Sequence, residues 1–342
     1  MAQILHGSPV NILTHLTGSP IVVEVEYPGG GEIIEASLHR PEDGGRHGAL
    51  VAVVGVTPAG RKDPRIVNLG DAFARAGYVV LIPDFKNLMR YRVSPKDVDA
   101  TVASFQYLWS REFVDKSRVG MMGFCVGGAL VTLAAEDPRI NEKVRFITVM
   151  DGYYDILDMI QAMTTDSYTY KNETVLWSPL EEDVNTLAGS LIDCLPDEQD
   201  QIILKQMFGA GEESSAVNLR ELSPSGKAMY ELLTNRDPSK VGELASKLDP
   251  GVLSALESLS PSSHIAQLCT DVLIIHDIDD PDIPYVESLK LADAIHGRLG
   301  NHLLLTRMFY HVDTELPSNP ILTIYEAVRF YTFLYHNLNE LR

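Results

Sequence analysis

The sequence predicts an α/β protein with a mostly parallel central sheet flanked by helices. Three observations lead there. Runs such as "GALVAVVGV" (48–56), "YVVLIPD" (78–84) and "RVGMMGF" (118–124) are continuously apolar, the mark of strands buried on both faces. Amphipathic helical segments alternate with them, which is the rhythm of parallel β-α-β units. The 342 residues, 45% of them hydrophobic, suffice for a large core.

The elements follow in order. "PIVVEVEYPGGGEIIEASLHRP" reads as a β-hairpin around Gly29-Gly30-Gly31. After the strand at 48–56, "DPRIVNLGDAFARAG" has apolar residues at helical spacing and Gly77 as its stop. Behind the strand at 78–84, "SPKDVDATVASFQYLWS" opens with Ser94 as N-cap and Pro95 at the first helical position. "RVGMMGF" is a strand, "VGGALVTLAAE" a helix and "KVRFITVMD" (143–151) a strand again. The rhythm stops there. Residues 153–262 carry no convincing buried strand and read as helices and loops punctuated by prolines, with Val184, Leu187, Leu191 and Cys194 on one stripe. The alternation resumes with the strand "DVLIIHD" (271–277), the helix "YVESLKLADAIHG" and the strand "HLLLTRMFY" (302–310), and a long helix follows. The division is therefore a first core part (1–152), a helical lid inserted after the sixth strand (153–262) and a second core part (263–342). An insertion at the carboxyl ends of strands lies where open α/β sheets bind ligands.

Composition narrows the partners. A formal charge of −19 repels nucleic acid and anionic membranes, so neither is expected. The first twenty residues are broken by Gly, Pro and His, and no apolar stretch is long enough to cross a bilayer. Three widely spaced cysteines suggest neither a disulfide framework nor a zinc site. A cytoplasmic protein, monomeric or homodimeric, is expected.

One motif carries chemistry. In "GMMGFCVGGAL" (120–130), glycines flank Cys125 between a strand and a helix. That is the setting of a nucleophile elbow, with cysteine at the apex. The helix N-terminus favours a thiolate. The backbone N–H of Val126 becomes one oxyanion donor, and that of Val56, in the loop after the strand at 48–56, the other. A nucleophile needs a base and the base an orienter, in the chain order nucleophile, acid, histidine. His311, the first polar residue beyond the strand at 302–310, is the expected base. Asp280, in "IDDPDIP", is the expected acid, because Asp277 still lies at the strand end and Asp282 falls inside the turn; Asp151 is the fallback. A calcium loop is excluded by Pro281 at its fifth position and the lack of Gly at its sixth. His276 reads as a core histidine. Arg61, Tyr153 and Tyr154 are candidates for the substrate pocket.

With these residues in view, the chain resembles the dienelactone hydrolase family of α/β-hydrolases. The resemblance rests on the N-terminal hairpin, "AGYVVLIPDF", "RVGMMGFCVGGAL", "IIHDIDDPDIP" and the loop of His311. It implies the α/β-hydrolase fold and a Cys-Asp-His triad at Cys125, Asp280 and His311. It also implies cleavage of a small-molecule carboxylic ester or lactone through a thioester acyl-enzyme, with no cofactor or metal. Three differences point away from dienelactone itself: Gly55 stands where the family's founders carry a Glu, no Arg follows His311 closely, and the insertion is long. The alternatives are an acyltransferase or polyhydroxyalkanoate-type synthase using the same cysteine, and a non-catalytic binding protein on the same fold.

Overall fold

The computed structural model describes residues 17–208, 219–310, 313–314 and 319–340. Strands β1 (Ile21–Gly29) and β2 (Glu32–Arg40) form the N-terminal hairpin, and β3 (His47–Val53) follows. Then come α1 (Pro64–Arg75), β4 (Val79–Pro83), α2 (Pro95–Trp109), β5 (Val114–Phe124), α3 (Val126–Glu136) and β6 (Phe146–Met150). The sequence of the caps explains the helix starts. Asp63 accepts the Arg65 N–H at the head of α1, and Ser94 closes a capping box with Asp97 at the head of α2, each followed by proline.

The segment after β6 is mainly helical: α4 (Ile156–Thr165), α5 (Glu181–Asp193), α6 (Glu198–Phe208), α7 (Pro224–Leu233), α8 (Val241–Ala245), α9 (Pro250–Ser258) and α10 (Pro261–His264). It also holds a hairpin that the sequence reading did not foresee, β7 (Ser167–Tyr170) with β8 (Glu173–Leu176). Its two turn residues, Lys171 and Asn172, both have positive φ. Tight hairpins require that conformation, but Lys-Asn does not advertise it as Asn-Gly would. The chain then returns through β9 (Asp271–Asp277), α11 (Val286–Ile295), β10 (Asn301–Thr306), the short pair β11 (Phe309–Tyr310) and β12 (Asp313–Thr314), and α12 (Pro320–Glu340).

Eight strands form one sheet in the order β1-β2-β4-β3-β5-β6-β9-β10. The β1–β2 and β2–β4 pairings are antiparallel and the others parallel. Strand β4 is buried along its whole length, and β3 and β9 everywhere but their first residue, as their continuous apolar runs required. Alternate residues feed opposite faces. Ala49, Val51 and Val53 of β3 join a cluster with α2, α3 and α11, whereas Leu50 and Ala52 join one with Leu69, Phe73 and Phe333 of α1 and α12. The helical segment builds a third cluster around Ile160, Ile192, Leu204, Met229 and Leu232, and Cys125 packs against it.

Two features fasten that segment to the core. The buried Glu287 carboxylate on α11 accepts the N–H groups of Tyr154 and Asp155, and Lys290 bridges it to Asp158 on α4. The hairpin reaches back as well: Tyr170 Oη donates to Asp293, and Trp177 Nε1 donates to the Asp280 carbonyl at 3.4 Å.

One strand ends earlier than its sequence suggests. The expected strand at 302–310 leaves the sheet after Thr306, because Met308 N–H turns back onto Thr306 Oγ1 and Arg307 pairs with Asp279. Among the described residues, no helix is long and apolar enough to cross a membrane.

Candidate active site

The turn from β5 into α3 is as tight as its glycines allow. Cys125 stands at the N-cap of α3 with φ 54° and ψ −130°, a conformation that costs a non-glycine residue about 1–3 kcal/mol. Its N–H donates to the Met150 carbonyl at 2.9 Å, and its own carbonyl accepts the Gly128 N–H at 2.8 Å. Neighbouring backbone leaves no room for side chains beside it. A Cβ on Gly123 would collide with the Gly127 carbonyl, and one on Gly127 with the Val53 carbonyl. Strain at one residue and crowding around it hold the thiol at the apex, half-buried rather than sealed in the core.

Cys125 opens into a cavity of about 430 Å³, within the size range of small-molecule sites. Val126 and Val56 both line it. Val126 begins α3, so its N–H belongs to the first turn, which has no intrahelical partner. Gly55 lets the loop after β3 come this close: a Cβ there would sit 2.7 Å from Cys125 Cβ and 3.3 Å from Sγ. This explains the absence of a longer side chain at that position.

The candidate acids are neighbours in space. Asp280 is buried, and its Oδ1 accepts the N–H groups of Asp282 at 2.7 Å and Ile283 at 3.0 Å. Asp151, buried with φ 52°, follows β6, and its Oδ1 accepts the Asp277 N–H at 2.7 Å. Because β6 and β9 pair, Asp151, Asp280 and His276 converge, with one polar side-chain atom from each lying within 4.8 Å of the others. His276 is a core histidine: Nε2 meets the Ile283 carbonyl at 3.0 Å and Nδ1 the Ser288 hydroxyl at 2.7 Å. Both ring nitrogens of His276 are thereby engaged within the fold. His311 lies outside the described residues.

The three pocket candidates separate. Tyr153 lines the cavity, and its hydroxyl donates to the Leu259 carbonyl at 2.9 Å; burial holds its pKa well above the usual range. Tyr154 does not line it but packs against the sheet core beside α11. Arg61 is also off the cavity. It is buried, with its guanidinium set among the carboxylates of Asp84, Glu24 and Glu35. Such a guanidinium is already committed to its carboxylates and, contrary to the sequence expectation, does not line the cavity.

Other residues take up the mouth. Arg65 lines the cavity and is held in a fork by Asp63, Nε to Oδ1 at 3.0 Å and Nη2 to Oδ2 at 2.6 Å. Tyr91 and Glu182 line it too; the Tyr91 hydroxyl donates to Glu182, and this raises the tyrosine pKa. Val93 N–H donates to Ser190 Oγ at 2.9 Å, joining that loop to α5. Cys194 contributes a second thiol to the lining, its pKa raised by burial. Nothing in the local sequence marks Tyr91 and Glu182, because they meet only across the gap between core and helical segment.

Sheet order, crossovers and elbow define the α/β-hydrolase fold. Acylaminoacyl peptidase of Pyrococcus horikoshii superposes with a TM-score of 0.56 and 11% identity, covering 96% of this chain and 43% of that one. Dipeptidyl peptidase 4 of Porphyromonas gingivalis gives 0.53 and 13%, covering 93% and 36%. At such identities the likeness is one of fold. Residues 34–164 match the dienelactone hydrolase family. The match includes Cys125 and Tyr153 and ends before Asp280. A Bradyrhizobium sp protein named "Probable 2-oxo-3-(5-oxofuran-2-ylidene)propanoate lactonase" is 31% identical over 152 residues, 39% of this chain. The chain spans 56%, about half, of that relative's length.

Proposed function

We propose that this protein hydrolyses a carboxylic ester or lactone, with Cys125 as nucleophile. The observation that supports this best is Cys125 itself: a strained cysteine at a helix N-terminus, kept clear by glycines and facing a cavity. In this reading the Cys125 sulfur attacks the substrate carbonyl, and the N–H groups of Val56 and Val126 stabilise the oxyanion. His311 takes the thiol proton and returns it to the departing alkoxide, while Asp280 orients the imidazole. Collapse breaks the acyl–oxygen bond, releases the alcohol and leaves a thioester. Water, deprotonated by His311, then attacks the thioester; the carboxylic acid departs and the thiol is restored. Residues 153–262 act as the lid over this site and set the size of the acyl group.

The apolar walls favour a second reading, in which the thioester passes its acyl group to an alcohol. The experiment is turnover of p-nitrophenyl esters of graded chain length, with and without an alcohol acceptor, by wild type and Cys125→Ala. Loss of the nucleophile should cost on the order of 10⁶ in rate with the fold intact, by the subtilisin precedent. Wild-type-like turnover in Cys125→Ala refutes the reading. Products heavier than the acid, formed with the acceptor present, identify acyl transfer.

A further inference from the structure

We propose that the cavity selects esters with hydrocarbon on both sides of the scissile carbonyl and no ionised carboxylate. This rests on Cys125 being the attacking group. The lining divides into two apolar walls from two different clusters. On one side stand Leu69, Phe73, Met122 and Phe333, from the cluster shared by α1, α12 and the sheet. On the other stand Tyr153, Ile156, Met159, Met163, Leu191 and Leu256, from the cluster of the helical segment. The elbow is where they meet: Phe124 packs on the first cluster, and Cys125 and Val126 on the second. A carbonyl held at Cys125 therefore sends its acyl group and its alkoxy group into separate apolar arms.

The charged groups point the same way. Among the described lining residues, Asp63, Glu182, Asp183 and Asp282 supply carboxyl groups, against one cation, Arg65. The Nε–Nη2 edge of Arg65 is turned to Asp63. Arg61, which lies in the preceding loop, is spent on Asp84, Glu24 and Glu35. An anionic substrate would lose water to apolar walls and meet like charge at the polar rim, where the one cation among the described lining residues already pairs with Asp63. Both effects oppose binding. The "propanoate" in the relative's name denotes an acid; the cavity here suits the opposite kind of molecule.

The test uses two matched pairs that differ only in a terminal methyl against a terminal carboxylate. Binding is read on full-length Cys125→Ala by displacement of Nile red, a neutral apolar dye, with ethyl hexanoate and monoethyl adipate. Turnover is read on wild type with p-nitrophenyl hexanoate and mono-p-nitrophenyl adipate. The neutral member should win by at least about 100-fold in each assay, as like-charge contact and desolvation imply. The variant Glu182→Gln/Asp183→Asn should narrow the gap about fivefold or more. Equal or tighter binding of the adipate, or binding of neither ester, overturns the proposal. Equal turnover of both esters overturns it while leaving the hydrolase reading intact. Selective binding of the hexanoate without turnover of either ester upholds the selectivity and defeats the hydrolase reading instead.

Discussion

Glu136 ends α3, the helix that begins at Cys125, and it is 2% exposed. Neither of its carboxyl oxygens has a hydrogen-bond partner among the described residues. Burial raises its pKa from the ordinary 4.5 to about 9, although the charge of Arg298 acts in the opposite direction. Its place at the negative end of a helix also disfavours the anion. Between pH 4.5 and 9 the group is thus protonated in the folded chain and ionised in the unfolded one. Raising the pH in that window favours unfolding, so the stabilisation present below pH 4.5 is lost as the pH rises towards 9. The slope is about 1.4 kcal/mol per pH unit.

Two other buried acids share the sign, Asp97 at about 6 and Glu287 at about 7. Asp97 is largely ionised in either state above pH 7 and Glu287 by about pH 8, so Glu136 carries most of the slope from pH 7 to 8.5. From pH 7 to 8.5 it should remove about 2 kcal/mol. At about 2.1 cal/mol/K of unfolding entropy per residue, that lowers Tm by about 3 °C. Glu136→Gln keeps the shape without the titration. The assay is thermal unfolding followed by circular dichroism at half-unit intervals from pH 6 to 8.5, under reducing conditions. The variant should fall far less than wild type above pH 7 and be nearly flat above about pH 8. An identical fall in both proteins refutes the reasoning.

Two predictions concern the site. Asp280→Asn keeps both backbone hydrogen bonds at Oδ1 but permits the wrong imidazole tautomer, at a cost of up to about 10⁴ in kcat, whereas Asp151→Asn should be far milder; single-turnover ester assays decide, and the reverse ranking moves the orienting role to Asp151. Gly55→Ala forces a methyl to within 2.7 Å of Cys125 Cβ and displaces the loop that carries Val56; kcat should fall about 10²–10³ with little change in Tm, and an unchanged kcat removes Val56 from the oxyanion site.

Local chemistry made part of this protein legible in its sequence. The central strands stand out because burial on both faces demands unbroken apolar runs, and the helix starts because Asp63 and Ser94 sit directly before prolines. The elbow stands out because only glycine fits where backbone meets backbone, at Gly123 and Gly127. Each of these is a demand made within a few residues of chain. Features that depend on distant partners were not legible. Arg61 looked available because its carboxylates lie 23 to 37 residues away. Asp151 and Asp280 looked like rivals in sequence, and the pairing of β6 with β9 made them neighbours. The hairpin β7–β8 is short and mostly exposed, so no burial pattern announced it. The two apolar arms and the acidic rim exist only because residues of the helical segment line the same cavity as Cys125. Tertiary packing decided which side chains face Cys125, since the walls of that cavity come from parts of the chain that no local pattern connects.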